Sequence, residues 1–302
     1  MKRLFLPLTI LVTSCSASLP VSSYWSEESV IENIPFTGSQ QLPELDEMRS
    51  RANGRDLNSA RQKAIRSGVC HFRTEEALFS FKNGKDCWDL DPTRPNVIIL
   101  GDSHAADLYV ALSSAYTNIN FIQYTGPGMG LIRDRDESHE KDAVVFSIEA
   151  LKRAGNPASN LGAIVIHDHE RMVSDQSVKR ALDMIGSEIP IYFFMPRSEM
   201  NPPPRSVFLW EFDGKPRDAQ AFLENRTELK ETQWSVAEYP YELPENARFI
   251  DTNSFICPEN RCLFFTPDGY PIFTDRAHWS AQGSEFIGLL LKERFPNFFD
   301  IK

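Results

Sequence analysis

Val97-Ile98-Ile99-Leu100-Gly101-Asp102-Ser103-His104 is the stretch on which the reading of this chain turns. Four consecutive apolar residues suit a strand buried on both faces. The Gly-Asp-Ser-His that follows marks a turn, and a Ser on the turn after a buried strand is a candidate nucleophile. Far along the chain stands Asp275-Arg276-Ala277-His278, just ahead of a second helical stretch. An Asp three residues before a His can orient that imidazole as a general base. Each motif alone is a weak signal, because Gly, Asp and Ser are common turn and capping residues. Together, one at each end of an alternating pattern, they supply the three members of a hydrolytic triad.

Outward from residues 97–100 the chain alternates strand and helix. A helix is predicted over 104–116, with Leu108, Leu112 and Ala115 on one face. Strands follow at 119–124, 163–166, 189–195 and 247–251. Helices are expected at 141–153, 178–185, 216–234 and 280–295, and residues 196–205, rich in Pro, read as a loop. There is no internal repeat. The pattern predicts an α/β fold: three layers, α/β/α, around a central parallel sheet of about five strands. In such sheets ligands bind beyond the carboxyl ends of the strands. Ser103 lies at that edge, and the 275–278 turn can reach it.

The residues Leu100-Gly101-Asp102-Ser103-His104-Ala105 form one recognisable block. Asp251, Cys257, Cys262, Asp268-Gly269, Thr274-Asp275, His278-Trp279-Ser280 and Gly283 form another. With these blocks the chain resembles the SGNH (GDSL-like) hydrolase and acyltransferase superfamily. Within it, the chain is most similar to the periplasmic SGNH domain fused to integral-membrane polysaccharide O-acyltransferases. Cys70 and Cys87, ahead of the nucleophile, fit the same subgroup. The resemblance spans roughly residues 68–297, with specific end blocks and a diffuse middle. It implies an SGNH/flavodoxin-like fold and a Ser acyl-enzyme. It also implies an envelope polysaccharide or oligosaccharide as acceptor. The chain carries no membrane acyltransferase part, so a separate membrane protein is expected to bring the acyl donor.

Within this frame Ser103 would attack an acyl carbonyl, His278 would take its proton, and Asp275 would fix the imidazole tautomer. The tetrahedral intermediate needs donors aimed at its oxyanion. The backbone N–H of Ser103, at a helix start, is one candidate. The second is expected from Thr125-Gly126-Pro127-Gly128-Met129-Gly130, where the resemblance implies a Gly N–H; Gly126 is favoured over Gly128. The Asn that the superfamily usually places after the third strand is missing. That place reads Ile166-His167-Asp168-His169-Glu170, so His169 or His167 is a substitute donor, or the histidines are a surface cluster. No metal site is expected at His167 and His169. No cofactor is expected. His104 has no role that the sequence assigns. The 196–204 loop, with Arg197, Arg205 and Trp210, either lines a glycan groove or is a plain excursion.

The opening residues place the chain in a compartment. Lys2 and Arg3 precede an apolar run at 4–12 that is too short to span a bilayer, as in a secretory leader. Val12-Thr13-Ser14-Cys15 resembles a lipobox, which would lipidate Cys15; the competing reading is signal cleavage after Ala17. Ser16 after the Cys permits passage to the outer membrane of a Gram-negative cell. The chain has five Cys. Pairing by proximity gives Cys70–Cys87 and Cys257–Cys262 and leaves Cys15 over, which a lipid would occupy. Zinc is the alternative for four Cys, but no CxxC pair is present.

The expected organisation is a leader at 1–17, a polar tether with surface helices at 18–67, and a catalytic domain at 68–302. A net charge of -10 argues against nucleic acid and against an anionic membrane surface, leaving the lipid as the only membrane contact. Three functions fit: an O-acyltransferase, in the first instance O-acetyl, acting on an envelope polysaccharide; an esterase removing such groups; and a non-catalytic glycan-binding relative. The intact triad favours the first two.

Overall fold

In the computed structural model the apolar run at 97–100 lies within the strand Asn96–Gly101, all six residues of which are buried. The structure describes residues 42–71, 87, 89–126, 161–169, 182–183, 188–230, 243, 245–258 and 261–299. The expected leader, Cys15, residues 18–41 of the expected tether segment, the predicted 141–153 helix and Gly128 lie outside them. So does most of the 178–185 helix, of which only Leu182 and Asp183 are described, both helical.

In chain order the described elements are α1 (Leu45–Arg51), α2 (Gly54–Ala64), β1 (Asn96–Gly101), α3 (Ser103–Ala115), β2 (Asn120–Thr125), β3 (Leu161–His167), β4 (Ile191–Phe194), β5 (Glu199–Asn201), α4 (Pro204–Glu211), α5 (Ala219–Arg226), β6 (Glu228–Lys230), β7 (Ala247–Ile250), α6 (Asn253–Ile256) and α7 (Ala281–Arg294). Five strands form one parallel sheet in the order β2-β1-β3-β4-β7, flanked by helices. The α/β expectation holds, and each of the five predicted strands is present. After β1 the chain steps to β2 on one side and then returns to β3 on the other. The carboxyl edge between β1 and β3 is therefore the point where ligands bind in open parallel sheets.

Side-chain size sets how closely the helices approach. Gly288 of α7 lies against the backbone of Ala111 in α3, where a Cβ would strike the Ala111 carbonyl. The packing of α7 on α3 brings the end of the chain beside β1. At the end of α2, Ile65 and Ala64 pack against Ala106, Val110 and Tyr109 of α3. Residues 44–67, part of the expected 18–67 tether with surface helices, form two helices that turn Met48, Leu57 and Arg61 inward.

Two predicted stretches differ from what is observed. The Pro-rich 196–205 stretch is not a loop throughout, because β5 falls within it and pairs antiparallel with β6. Helix α4 then begins at Pro204, where the missing N–H of proline costs nothing at the first helical position. The expected 216–234 helix comprises one 3-10 turn and α5, and stops at Thr227 so that residues 228–230 can join β5. Both corrections have one cause, a strand pairing between segments distant in sequence. Disulfides join Cys70 to Cys87 and Cys257 to Cys262, as proximity suggested. Closing a loop the size of the first is worth about 3 kcal/mol through the unfolded state.

Candidate active site

Strand β1 ends at Gly101 with φ +138°, a conformation that side-chain-bearing residues rarely adopt. A Cβ there would also run into the carbonyl of His167 and the side chain of Ala105. This turn delivers Asp102 as the N-cap of α3, where its carboxylate accepts the His104 N–H at 2.7 Å. The other carboxylate oxygen accepts the His169 N–H at 2.9 Å, tying the end of β3 to the end of β1. Ser103 follows as the first residue of α3.

The Ser103 Oγ lies 2.7 Å from His278 Nε2. His278 Nδ1 lies 2.8 Å from Asp275 Oδ2. A carboxylate can only accept, so Nδ1 carries the proton and Nε2 presents its lone pair to the Ser103 hydroxyl. The second Asp275 oxygen accepts the N–H groups of Ala277 and His278, each at 2.9 Å. Partial burial works against ionisation of Asp275. The hydrogen bond and charge of His278, with those two N–H groups, nonetheless hold its carboxyl well below the ordinary range. The carboxylate is thus ionised wherever the protein is folded near neutrality. The Asp275 side chain is 52% exposed and that of His278 29%, so the site opens to solvent. A serine, base and orienting acid in this arrangement can carry out acyl transfer through a covalent intermediate.

The 274–279 turn is fixed by what surrounds it. Arg276 accepts the Met200 N–H of β5 at 3.0 Å, and Arg205 donates to the Thr274 carbonyl at 3.0 Å. Next to His278, the Trp279 N–H donates to Asp107 at 3.0 Å.

The match to known proteins now has a geometry to stand on. A family model described as "SGNH domain (fused to AT3 domains)" matches residues 69–293, most of the chain. The chain belongs to this SGNH family. The periplasmic domain of a lipopolysaccharide acetyltransferase from Salmonella ser. Paratyphi A has a similar fold, with a TM-score of 0.55 and 19% identity, over 82% of this chain and 99% of that one. A carbohydrate acetylesterase from Sinorhizobium meliloti aligns at a TM-score of 0.37 and 11% identity, over 68% of this chain and all of that one (100%). No curated protein matches the chain significantly.

In this SGNH domain Ser103, Asp275 and His278 come together as the sequence predicted. The oxyanion donors do so only in part. The Ser103 N–H lies in the first turn of α3, where no intrahelical carbonyl reaches it. The Gly126 N–H, the favoured second donor, is instead given to the Gly101 carbonyl at 3.2 Å. This happens because the β1–β2 ladder, ending at Gly101 and Thr125, continues one residue further. The His169 Nε2 is taken by Glu199 at 2.8 Å. His167 is fully buried and donates its Nδ1 proton to the Phe194 carbonyl at 3.0 Å, which leaves Nε2 without a proton to offer an oxyanion. Burial and the nearby Arg197 charge push its pKa down to about 3, so it is neutral.

His104, unassigned by sequence, is buried with its ring 5.3 Å from that of His278 and 5.1 Å from that of His169. Burial first, and then Arg197, hold its pKa well below the ordinary value, so it forms a neutral wall behind the base. Arg197 does not line a groove, because it is buried and bound to Asp107 at 3.0 Å. Arg205 is engaged by the Ala52 and Thr274 carbonyls. Trp210 stays 85% exposed on α4. Among the described residues no three His, Cys, Asp or Glu side chains are arranged to hold a metal ion.

Sequence reasoning missed Asp107 and Arg61, and it placed Arg197 in a loop where the structure buries it against Asp107. One signal was available: an Asp four residues after Ser103, on a helix face otherwise apolar or small.

Proposed function

We propose that this protein is a serine-dependent O-acyltransferase, in the first instance O-acetyl, acting on a cell-envelope polysaccharide. The reading rests on the Ser103–His278–Asp275 chain of hydrogen bonds in a member of a family fused elsewhere to AT3 domains. Ser103 Oγ attacks the acyl carbonyl as its proton passes to His278 Nε2. The donor's leaving group departs with that proton, and Ser103 carries the acyl ester. A sugar hydroxyl then gives its proton to His278 and attacks the ester. Ser103 leaves as the alcohol and takes the proton back. Asp275 stabilises the imidazolium in both halves. The Ser103 N–H is one oxyanion donor, and Gly128 is the remaining glycine candidate for the second. The acyl donor is supplied by a separate membrane acyltransferase.

The second reading is a carbohydrate esterase. It shares the acyl-enzyme and uses water as the acceptor, and the solvent exposure of Asp275 and His278 favours it. The two part at the second step. Purified protein given an activated acetyl ester and rising glycan acceptor should form O-acetylated glycan at the expense of free acetate. Fast acetate release, indifferent to acceptor and without acetylated glycan, would establish the esterase instead.

The two disulfides fit an exported protein, since such bonds persist in oxidising compartments. Lipidation of Cys15 at the outer membrane completes the proposal. Cys15→Ala should shift the protein from the membrane fraction to the soluble periplasm. A wild-type mature N-terminus at Ser18 would show ordinary signal cleavage.

A further inference from the structure

The triad joins residues from opposite ends of the chain, and one buried carboxylate bridges them. Asp107 lies one helical turn beyond Ser103 on α3 and is 0% exposed. One of its oxygens accepts Arg61 Nε of α2 at 2.8 Å. The other accepts Arg197 Nη2 and the Trp279 backbone N–H, each at 3.0 Å. Arg61 also reaches the Ser103 carbonyl, with Nη2 at 3.4 Å. The Arg197 guanidinium lies over the Trp279 ring, 4.0 Å from its centroid. The same few groups thus grip the backbone of the nucleophile and the backbone next to the base. Burial would neutralise Asp107, but the two guanidiniums hold its carboxyl below the ordinary range and keep it charged.

We infer that Arg61 and Asp107 form a clamp that sets the distance between Ser103 and His278, and that α2 is part of the catalytic unit. Arg61 precedes residue 69, where the family match begins, so this part of the clamp lies outside the matched residues. Both are positioning residues and neither touches the reacting atoms. The physical case is one of tolerance. A serine–imidazole hydrogen bond contributes little net free energy by itself, and the 274–279 turn is partly exposed. Misplacing a reacting group by 1 Å can cost about 10²-fold in rate. A doubly paired, desolvated carboxylate fixes its acceptor positions more narrowly than surface contacts can.

The inference rests on the acyl-enzyme reading, and the experiment keeps the two apart. Arg61→Ala, Arg61→Lys and Asp107→Asn would be made in the full chain. They would be assayed on a small chromogenic acetyl ester, with Ser103→Ala as control. The His278 ring nitrogens would be followed by NMR, which reports the Ser103–His278–Asp275 bonds whether or not an ester is turned over. Arg61→Ala should lower kcat about 10- to 10²-fold. KM should stay within about twofold, because no substrate contact is lost. Millimolar guanidinium should restore part of kcat, the His278 signals should move, and Arg61→Lys should fall between. If Asp107→Asn fails to fold, with two guanidiniums left buried against a neutral amide, the Arg61 variants still decide. Unchanged kcat and unchanged His278 signals in Arg61→Ala would overturn the clamp. Turnover that survives Ser103→Ala would overturn the acyl-enzyme reading alone, and the NMR shifts would still judge the clamp.

Discussion

Replacing Ser103 by Ala is expected to lower turnover of an acetyl ester on the order of 10⁴- to 10⁶-fold, while the melting temperature stays within a few degrees of wild type. The large kinetic effect follows from removing the atom that forms the covalent bond. The small thermal effect follows from the surroundings. Ser103 Oγ contacts the partly exposed His278, and the turn that presents it is held by Asp102 and Gly101. His278→Ala should cost about as much, and the double variant little more, because triad members act as a unit. Turnover within about tenfold of wild type in Ser103→Ala would rule out a Ser103 acyl-enzyme.

Gly101→Ala is expected to have the largest effect on stability of any single methyl added to the sheet. The residue has a positive φ, which alone costs about 1–3 kcal/mol for a residue with a Cβ. The new methyl would also meet the His167 carbonyl, the Asp168 carboxylate and the Ala105 side chain at once. The His167 carbonyl cannot withdraw cheaply, because His167 is held in register opposite Gly101 in the β1–β3 ladder. We expect a loss of at least about 3 kcal/mol, measured by urea denaturation, together with loss of activity. A variant as stable as wild type would mean that the β1–α3 turn can adopt another backbone path.

The sheet was legible because its strands are buried. Residues such as Val97, Ile98, Ile164 and Ile191 must be apolar whatever they pack against, so short apolar runs announce them. The Ser103–His278–Asp275 group was legible because Ser103 follows such a run and the Asp275–His278 motif lies just ahead of a helix. The β5–β6 ribbon was hidden because Glu199-Met200-Asn201 and Glu228-Leu229-Lys230 have no local pattern, and only their mutual pairing makes them strands. The oxyanion assignment failed at Gly126 for a different reason. Glycine there suggested an open N–H, while the sheet simply runs one residue longer and consumes it. Nothing in the sequence marks Arg61, and Arg197 is expected on the 196–204 loop. Their inward turn depends on a single carboxylate, Asp107, that lies far from both in sequence. Buried ion pairs are written in tertiary contacts and leave little trace in periodicity.

The close seating of Gly288 on Ala111 has a meaning for how the protein comes into being. Ser103 begins α3, and His278 arrives only much later in the chain, with the segment that leads into α7. A growing chain therefore possesses Ser103 before its hydrogen-bond partner His278 exists. On the acyl-enzyme reading proposed above, competence waits for the final helix to dock. Long-range closure of this kind is slow to form. On the same reading, turnover would then be a report on completed folding, because Ser103 and His278 meet only when two distant segments have come together.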